Sequence, residues 1–197
     1  LLSISLNNDI LTFIQDDHPE VLKYNETEEQ FGTDRVFSIA IESIDGTIFS
    51  PEFIEIIRSL TESFSHIDKN IEVSSFANTS YIEGTSDGIE VKPMLEDYSG
   101  SADDILKLKE RLLSWELYEG ALYSKDLSSA QILVELKIIP TDKLRNYIYE
   151  SIRNTLDNIK DPSVNWYISG LPAVTYLISN NMEADLIVLI PLVLLVV

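Results

Sequence analysis

The pattern that most limits how this chain folds is a strand–helix–strand sequence that occurs twice. In its first copy, residues 35–43 (RVFSIAIES) alternate in polarity and are rich in β-branched and aromatic side chains, which predicts a strand. Residues 50–52 (Ser-Pro-Glu) predict a helix start, because they supply an N-cap, a proline at the first helical position and an acid at the positive end of the dipole. Residues 70–76 (NIEVSSF) predict the second strand. The first half is therefore a βαβ unit.

The second copy follows a long middle segment. Residues 130–139 (AQILVELKII) predict a strand, a helix opens at Pro140, and residues 165–169 (NWYIS) predict the closing strand. The insert between the copies, about residues 77–128, contains two short extended pieces that favour a hairpin, and then a helix that starts at a capping box and reaches about Trp115. Two βαβ halves with a middle insert predict an α+β fold, a split βαβ ferredoxin-like sandwich.

The last residues predict contact with a membrane. Residues 186–197 (LIVLIPLVLLVV) carry no charged or polar side chain. The run is shorter than the about 20 residues that a spanning helix needs, and we interpret it as the first turns of a truncated transmembrane span. A buried strand is the alternative, because the run is rich in β-formers, although Pro191 disfavours a central strand. Residues 1–6 (LLSISL) fit either the tail of a preceding span or a strand.

These segments divide the chain into three parts. Residues 1–34 form an acidic, membrane-proximal lead-in with one short helix, and residues 35–170 form the domain that contains the two βαβ halves. Residues 171–197 form a helix that leads into the apolar run. We therefore expect the ends of transmembrane helices to flank the α+β domain.

The charge of the chain excludes several kinds of function. Its 33 acidic and 14 basic residues give a formal net charge of −19, which repels phosphate groups, so nucleic acid is not an expected partner. There is no cysteine and there are only two histidines, so thiolate sites and multi-histidine metal sites are excluded. No glycine-rich phosphate loop is present. We expect no enzyme activity, no metal and no cofactor.

Six short elements of the sequence resemble the large loop after the first transmembrane helix of the RND superfamily of exporters, especially its MMPL-type and related predicted-exporter branch. They occur in the family's order and cover nearly the whole chain. The residues concerned are Asn8–Ile10 with Phe13 and Asp16–Pro19, Phe31-Gly32 with Asp34, Gly46–Glu52, Ser74–Asn78, Gly120–Asp126, and Gly170–Pro172.

The resemblance implies a porter domain with ferredoxin-like subdomains in an exporter of hydrophobic or amphiphilic molecules such as lipids or drugs. In that family, transport is driven by protons through charged residues in membrane helices, so no coupling residue is expected in this domain. The implied location is the cell membrane, with this domain on the extracytoplasmic side. The implied partners are the substrate and the rest of the transporter chain, and a homo-oligomer or an accessory envelope protein is left open.

Aromatic side chains in the insert are the main candidate site residues. They are the side chains that we expect to line a path for an amphiphile, because such pockets are apolar with a few polar groups: Tyr81, Tyr98, Trp115, Tyr118 and Tyr123. The alternative is that these rings only cover the sheet and the helices.

Acidic residues are weaker candidates. Residues 16–20 (DDHPE) suggest a metal cluster, but a solvated acidic loop is the commoner arrangement and the spacing matches no helical ligand pair. Asp103 and Asp104 fit helix-terminal charges better than a catalytic pair, because acids are stabilised in a first turn. Asp185, at the start of the apolar run, fits a membrane interface better than a proton path.

A different class of function uses the same fold. An extracytoplasmic sensor or protein-interaction domain would bind a protein partner and transport nothing. Fold alone does not separate a porter from a sensor. The number of membrane spans in the full-length protein does, because an exporter needs many spans and a sensor needs one or two.

Overall fold

The computed structural model describes residues 17–31, 33–85 and 88–196. A short 3-10 turn at Glu116–Tyr118 follows the helix Ala102–Leu113. The regular elements, in chain order, are α1 (Pro19–Phe31), β1 (Val36–Ser43), α2 (Pro51–Ser65), β2 (Ile71–Ser74), β3 (Ser80–Thr85), β4 (Gly88–Pro93), α3 (Ala102–Leu113), β5 (Ser129–Leu136), α4 (Asp142–Asp157), β6 (Val164–Ser169) and α5 (Leu171–Val196).

Four strands form the main sheet, in the order β2-β5-β1-β6, and every neighbouring pair is antiparallel. β1 lies inside the sheet, where Ile39 pairs with Ile132 of β5 on one side and with Ile168 of β6 on the other. β3 and β4 form a separate two-stranded hairpin. The expected α+β class is confirmed, and the two βαβ segments and the hairpin lie where the sequence predicts them.

One face of the main sheet is covered by helices. Alternate residues of β1 and β5 are buried, as the strand period of two requires, and they share one core with the apolar faces of α2 and α4. The other face is more polar, and the Gln131 amide donates a hydrogen bond of 2.7 Å across it to the Ser38 hydroxyl. Large side chains that are fully buried include Phe37, Phe64, Phe76, Ile39, Ile41, Ile48, Ile54, Ile57, Met94, Leu108, Leu112, Ile132, Leu136, Ile148, Ile152 and Leu156.

The helix starts follow the predicted signals. The Ser50 hydroxyl accepts a hydrogen bond of 3.1 Å from the Phe53 amide, which caps α2. α4 is capped in the same way by Thr141.

A buried hydrogen bond links α2 to the segment after β2. The Thr61 hydroxyl donates to the Ile57 carbonyl, so in the 2.8 Å bond between Thr61 and Ser75 the Ser75 hydroxyl is the donor. This buried pair fastens α2 to the end of β2.

A single residue, Gly170, connects β6 to α5. Its φ is +102°, and a Cβ at this position would overlap the Val36 carbonyl oxygen of β1 and lie 3.3 Å from the Phe37 Cα. α5 then packs on α4, where the Tyr176 ring stacks on Tyr149 at 4.1 Å between centroids. The close approach to β1 therefore fixes where α5 leaves the sheet.

Several predictions concern residues outside the described ranges. These are the lead-in over 1–16, Gly32 as a helix stop, and the turn at 86–87 of the hairpin.

Among the described residues, no helix combines the length and the apolar character required to cross a membrane. The strand predicted over 130–139 ends at Leu136 in the structure, and residues 137–139 lie outside the sheet.

Candidate functional site

The hairpin of the insert is held against α3 by one arginine. The Arg111 Nη1 donates a hydrogen bond of 3.0 Å to the Met94 carbonyl, just after β4. The same guanidinium lies 4.4 Å from the centroid of the Tyr81 ring on β3, a cation–π distance. Tyr81 is buried at this contact. Arg111 therefore joins both strands of the hairpin to the helix.

α3 is positioned by the predicted capping box. The Ser101 hydroxyl accepts from the Asp104 amide at 3.2 Å, and the Asp104 carboxylate accepts from the Ser101 amide at 3.3 Å. The same carboxylate accepts a 2.6 Å bond from the Ser99 hydroxyl. Hydrogen bonds from Ser99 and then Ser101 hold the pKa of Asp104 well below its usual range. Asp104 is thus a structural cap, as the sequence predicts, and Asp103 lies exposed beside it.

Two of the predicted aromatic residues form a stacked pair. The rings of Trp115 and Tyr118 are 5.9 Å apart between centroids, and the Tyr118 hydroxyl donates a bond of 2.9 Å to the Ser80 carbonyl at the start of β3. Burial raises the pKa of Tyr118. Trp115, Glu116 and Leu117 line an open hollow of about 380 Å³ beside the pair. We call this feature the aromatic hollow.

Tyr98 lies in a second cleft, of about 350 Å³. The cleft lies between the first turns of α2 and the loop that precedes α3, and its walls include Glu52, Glu55 and Arg58. Arg58 and Glu55 form an ion pair of 2.8 Å. The Tyr98 hydroxyl is buried without a hydrogen-bond partner among the described residues. Burial, followed by the negative charge of Asp104, raises the pKa of Tyr98.

Tyr123 lies under the insert, against the main sheet. It is buried, it forms a backbone bridge with Ala130 of β5, and its carbonyl accepts a 2.8 Å bond from the Gly120 amide. Burial raises its pKa, with a smaller contribution from the charge of Glu119. The structure therefore brings Trp115, Tyr118 and the start of β3 together, and it places Tyr98 and Tyr123 elsewhere.

The described acidic and histidine residues form no group of three or more that could hold a metal ion. In the predicted 16–20 cluster, Asp16 lies outside the described residues, and the His18 Nδ1 accepts a 3.2 Å bond from the Glu20 amide. His66 ends α2, and its Nδ1 lies 2.7 Å from the Glu62 carbonyl oxygen. Asp185 is exposed on α5.

Sequence analysis missed three features of the insert. The role of Arg111 was not predictable, because an arginine in the last turn of a helix is ordinarily a solvated charge that stabilises the negative end of the helix dipole. Leu117 lies in a segment without periodicity, but it is 75% exposed and lines the aromatic hollow. The alternation in β4 was visible, but the sequence could not tell that its apolar side faces solvent.

Comparisons with known proteins add no identification. No protein-family model matches the sequence, and no curated protein is significantly similar to it.

Proposed function

We propose that this chain is the extracytoplasmic porter domain of a proton-driven, RND-type membrane exporter of hydrophobic or amphiphilic substrates, such as lipids or drugs. The observation that carries the proposal is the aromatic hollow in the insert of the α+β domain. Lipids and drugs share a large apolar surface with a few polar groups, and sites for them are concave, mostly apolar and sparsely polar.

The sheet supports the fold part of this proposal. The strand order β2-β5-β1-β6, with all neighbours antiparallel, is the order in which two interleaved βαβ units build a ferredoxin-like sandwich. The hairpin and α3 fall between the two units, as the middle insert of the proposed porter domain requires.

The aromatic hollow supports the substrate part. Trp115 and Leu117 offer exposed apolar surface, and Glu116 adds one carboxylate to the same wall. An alkyl chain placed against Trp115 and Leu117 would lose contact with water at a gain of about 25 cal/mol for each Å² buried. Tyr118 stiffens the wall, because its hydroxyl is fixed to Ser80.

The apolar run of residues 186–197 supports the location at a membrane, because it carries no charged or polar side chain. The run continues α5, which starts beside the sheet at Leu171 and ends at Val196, and α5 itself does not reach the length and apolar character of a span among the described residues. In the proposed exporter, this run belongs to a span, and movements of the membrane part reach the domain through α5. The protons that drive transport would pass through the membrane helices.

The substrate site is tested with dodecyl maltoside, a neutral amphiphile, kept below its micelle concentration. The chain contains two tryptophans, so Trp166→Phe leaves Trp115 as the only indole emitter. We expect saturable binding with a blue shift of Trp115 emission. Leu117→Ser is expected to weaken binding by about fivefold or more, since it removes an apolar contact.

Ile139→Ser is the matched control, because Ile139 is an aliphatic residue of similar exposure outside the aromatic hollow. It should bind like the parent protein. Absence of saturable binding, or equal losses in both variants, would reject the hollow as a substrate site.

The transporter assignment itself is tested by the reading frame of the gene on both sides of this segment. A hydrophobic span before residue 1, several spans after residue 197 and a second loop of the same pattern would support the exporter. One or two spans joined to a cytoplasmic signalling domain would reject it and favour the sensor domain.

A further inference from the structure

The β3–β4 hairpin presents its apolar side chains to solvent. Ile82 pairs with Val91, and Ile89 lies opposite Gly84 on the same side of the hairpin. Ile89 is 75% exposed and Val91 is 66% exposed. We call the surface of Ile82, Ile89 and Val91 the apolar hairpin face. Three neighbouring β-branched side chains that no other described residue covers are unusual on a domain surface, and such patches mark interaction surfaces.

The opposite side of the hairpin carries the charges. Lys92 forms ion pairs of 3.1 Å with Glu83 and 2.9 Å with Glu90, and Tyr81 on the same side packs under Arg111. The charged side thus contacts the domain through Tyr81, and the apolar side is turned away from it. This is the reverse of the arrangement that keeps a hairpin soluble.

Both strands of the hairpin are edge strands. Within the described part of the chain, the hairpin forms a sheet of two strands, so each strand has a strand neighbour on one side only. A two-stranded hairpin is marginally stable alone, and an exposed apolar edge pairs readily with another extended segment. An added strand would satisfy backbone groups at the edge, and its apolar side chains would pack beside those of the apolar hairpin face.

We propose that the β3–β4 hairpin binds an extended, cationic segment of another protein as an added strand, whose alternate apolar side chains pack beside Ile82, Ile89 and Val91. Charge selects this occupant. Lys92 and Arg111 balance the two hairpin glutamates locally, but the whole chain carries a net charge of −19. A second copy or an anionic lipid surface would meet that charge with its own negative charge, whereas Lys and Arg beside apolar residues are attracted to it.

This inference does not depend on the transport proposal, because it concerns the hairpin and not the aromatic hollow. The probes are three synthetic ten-residue peptides that alternate Val with Lys, Val with Glu, and Ser with Lys. Each is labelled at its N-terminus and titrated with the whole chain by fluorescence anisotropy. We expect the Val/Lys peptide alone to bind.

The decisive variant is Val91→Glu. It adds a negative charge, so binding that depends only on charge would become tighter, whereas docking on the apolar hairpin face weakens by about tenfold or more. Ile89→Glu is the second variant and should behave alike. Leu106→Glu is the control, since it adds the same charge at an exposed leucine on α3 of the same insert.

Circular dichroism checks that each variant folds. Equal or tighter binding by both hairpin variants, or equal binding of the Ser/Lys peptide, would overturn the proposal. So would absence of binding by the Val/Lys peptide. Self-association that Val91→Glu abolishes would show that a second copy is the occupant, and binding to zwitterionic vesicles lost in that variant would show that a membrane is.

Discussion

Gly170 should be the glycine that the fold tolerates least well as alanine. Its φ of +102° is a conformation that costs a residue with a side chain about 1–2 kcal/mol. The new Cβ would also overlap the Val36 carbonyl oxygen, and that atom belongs to a central strand. Relieving such an overlap typically costs about 1–3 kcal/mol. We therefore expect Gly170→Ala to lower the free energy of unfolding by about 2–5 kcal/mol.

Two other glycines separate the conformational cost of a positive φ from the steric cost of the new Cβ. At Gly46 the φ is +75° but nothing lies within 4 Å of the Cβ that an alanine would add, so Gly46→Ala should cost only about 1–2 kcal/mol. At Gly84 there is neither a positive φ nor a neighbour within 4 Å, so Gly84→Ala should be close to neutral. A graded series is expected, with Gly170 the worst.

Urea unfolding followed by tryptophan fluorescence measures the three differences. Thermal unfolding should agree, because each kcal/mol shifts the Tm of a chain of this size by about 2–4 °C. If Gly170→Ala costs no more than Gly46→Ala, the close approach to β1 does not constrain the connection, and the account of how α5 leaves the sheet is wrong.

Three further outcomes follow from the charged groups. Asp142→Ala should lower the free energy of unfolding by about 2–3 kcal/mol in urea, because the buried Arg145 guanidinium loses its 2.6 Å partner. The loss is smaller than for a fully buried ion pair, since the Asp142 side chain is 39% exposed. Arg111→Ala should speed amide exchange in the hairpin more than in β1, and Arg111→Lys should restore little, since a lysine lacks the planar fork. Asp104→Asn should destabilise above pH 3.8, the ordinary pKa of the carboxyl, and the difference from the parent should vanish as the pH falls through the lowered folded pKa.

Local signals in the sequence predicted most of the regular structure. The helix start at Ser50-Pro51 was predictable because both residues act within one turn, and the hydroxyl does cap Phe53. The apolar face of α2 was predictable because its period needs no knowledge of partners, and Phe53, Ile57, Leu60 and Phe64 are all buried.

The order of the strands in the sheet was not predictable from local sequence patterns. Placing β5 beside β1 depends on contacts between residues almost a hundred positions apart, such as the bond from Gln131 to Ser38. The same limit applies to the candidate site. Tyr81 and Trp115 look alike as aromatic residues of the insert, but whether a ring is buried or exposed depends on Arg111 and on the docking of α3, which no local pattern encodes.

The contact between Gly170 and Val36 has a consequence for the architecture of any longer polypeptide that contains this domain. β1 begins and β6 ends at neighbouring positions of antiparallel strands, so the two chain ends of the unit 36–170 lie about 5 Å apart. A unit with adjoining ends behaves as a removable module: it can be inserted at, or excised from, a single point of a host chain while the flanking segments stay side by side.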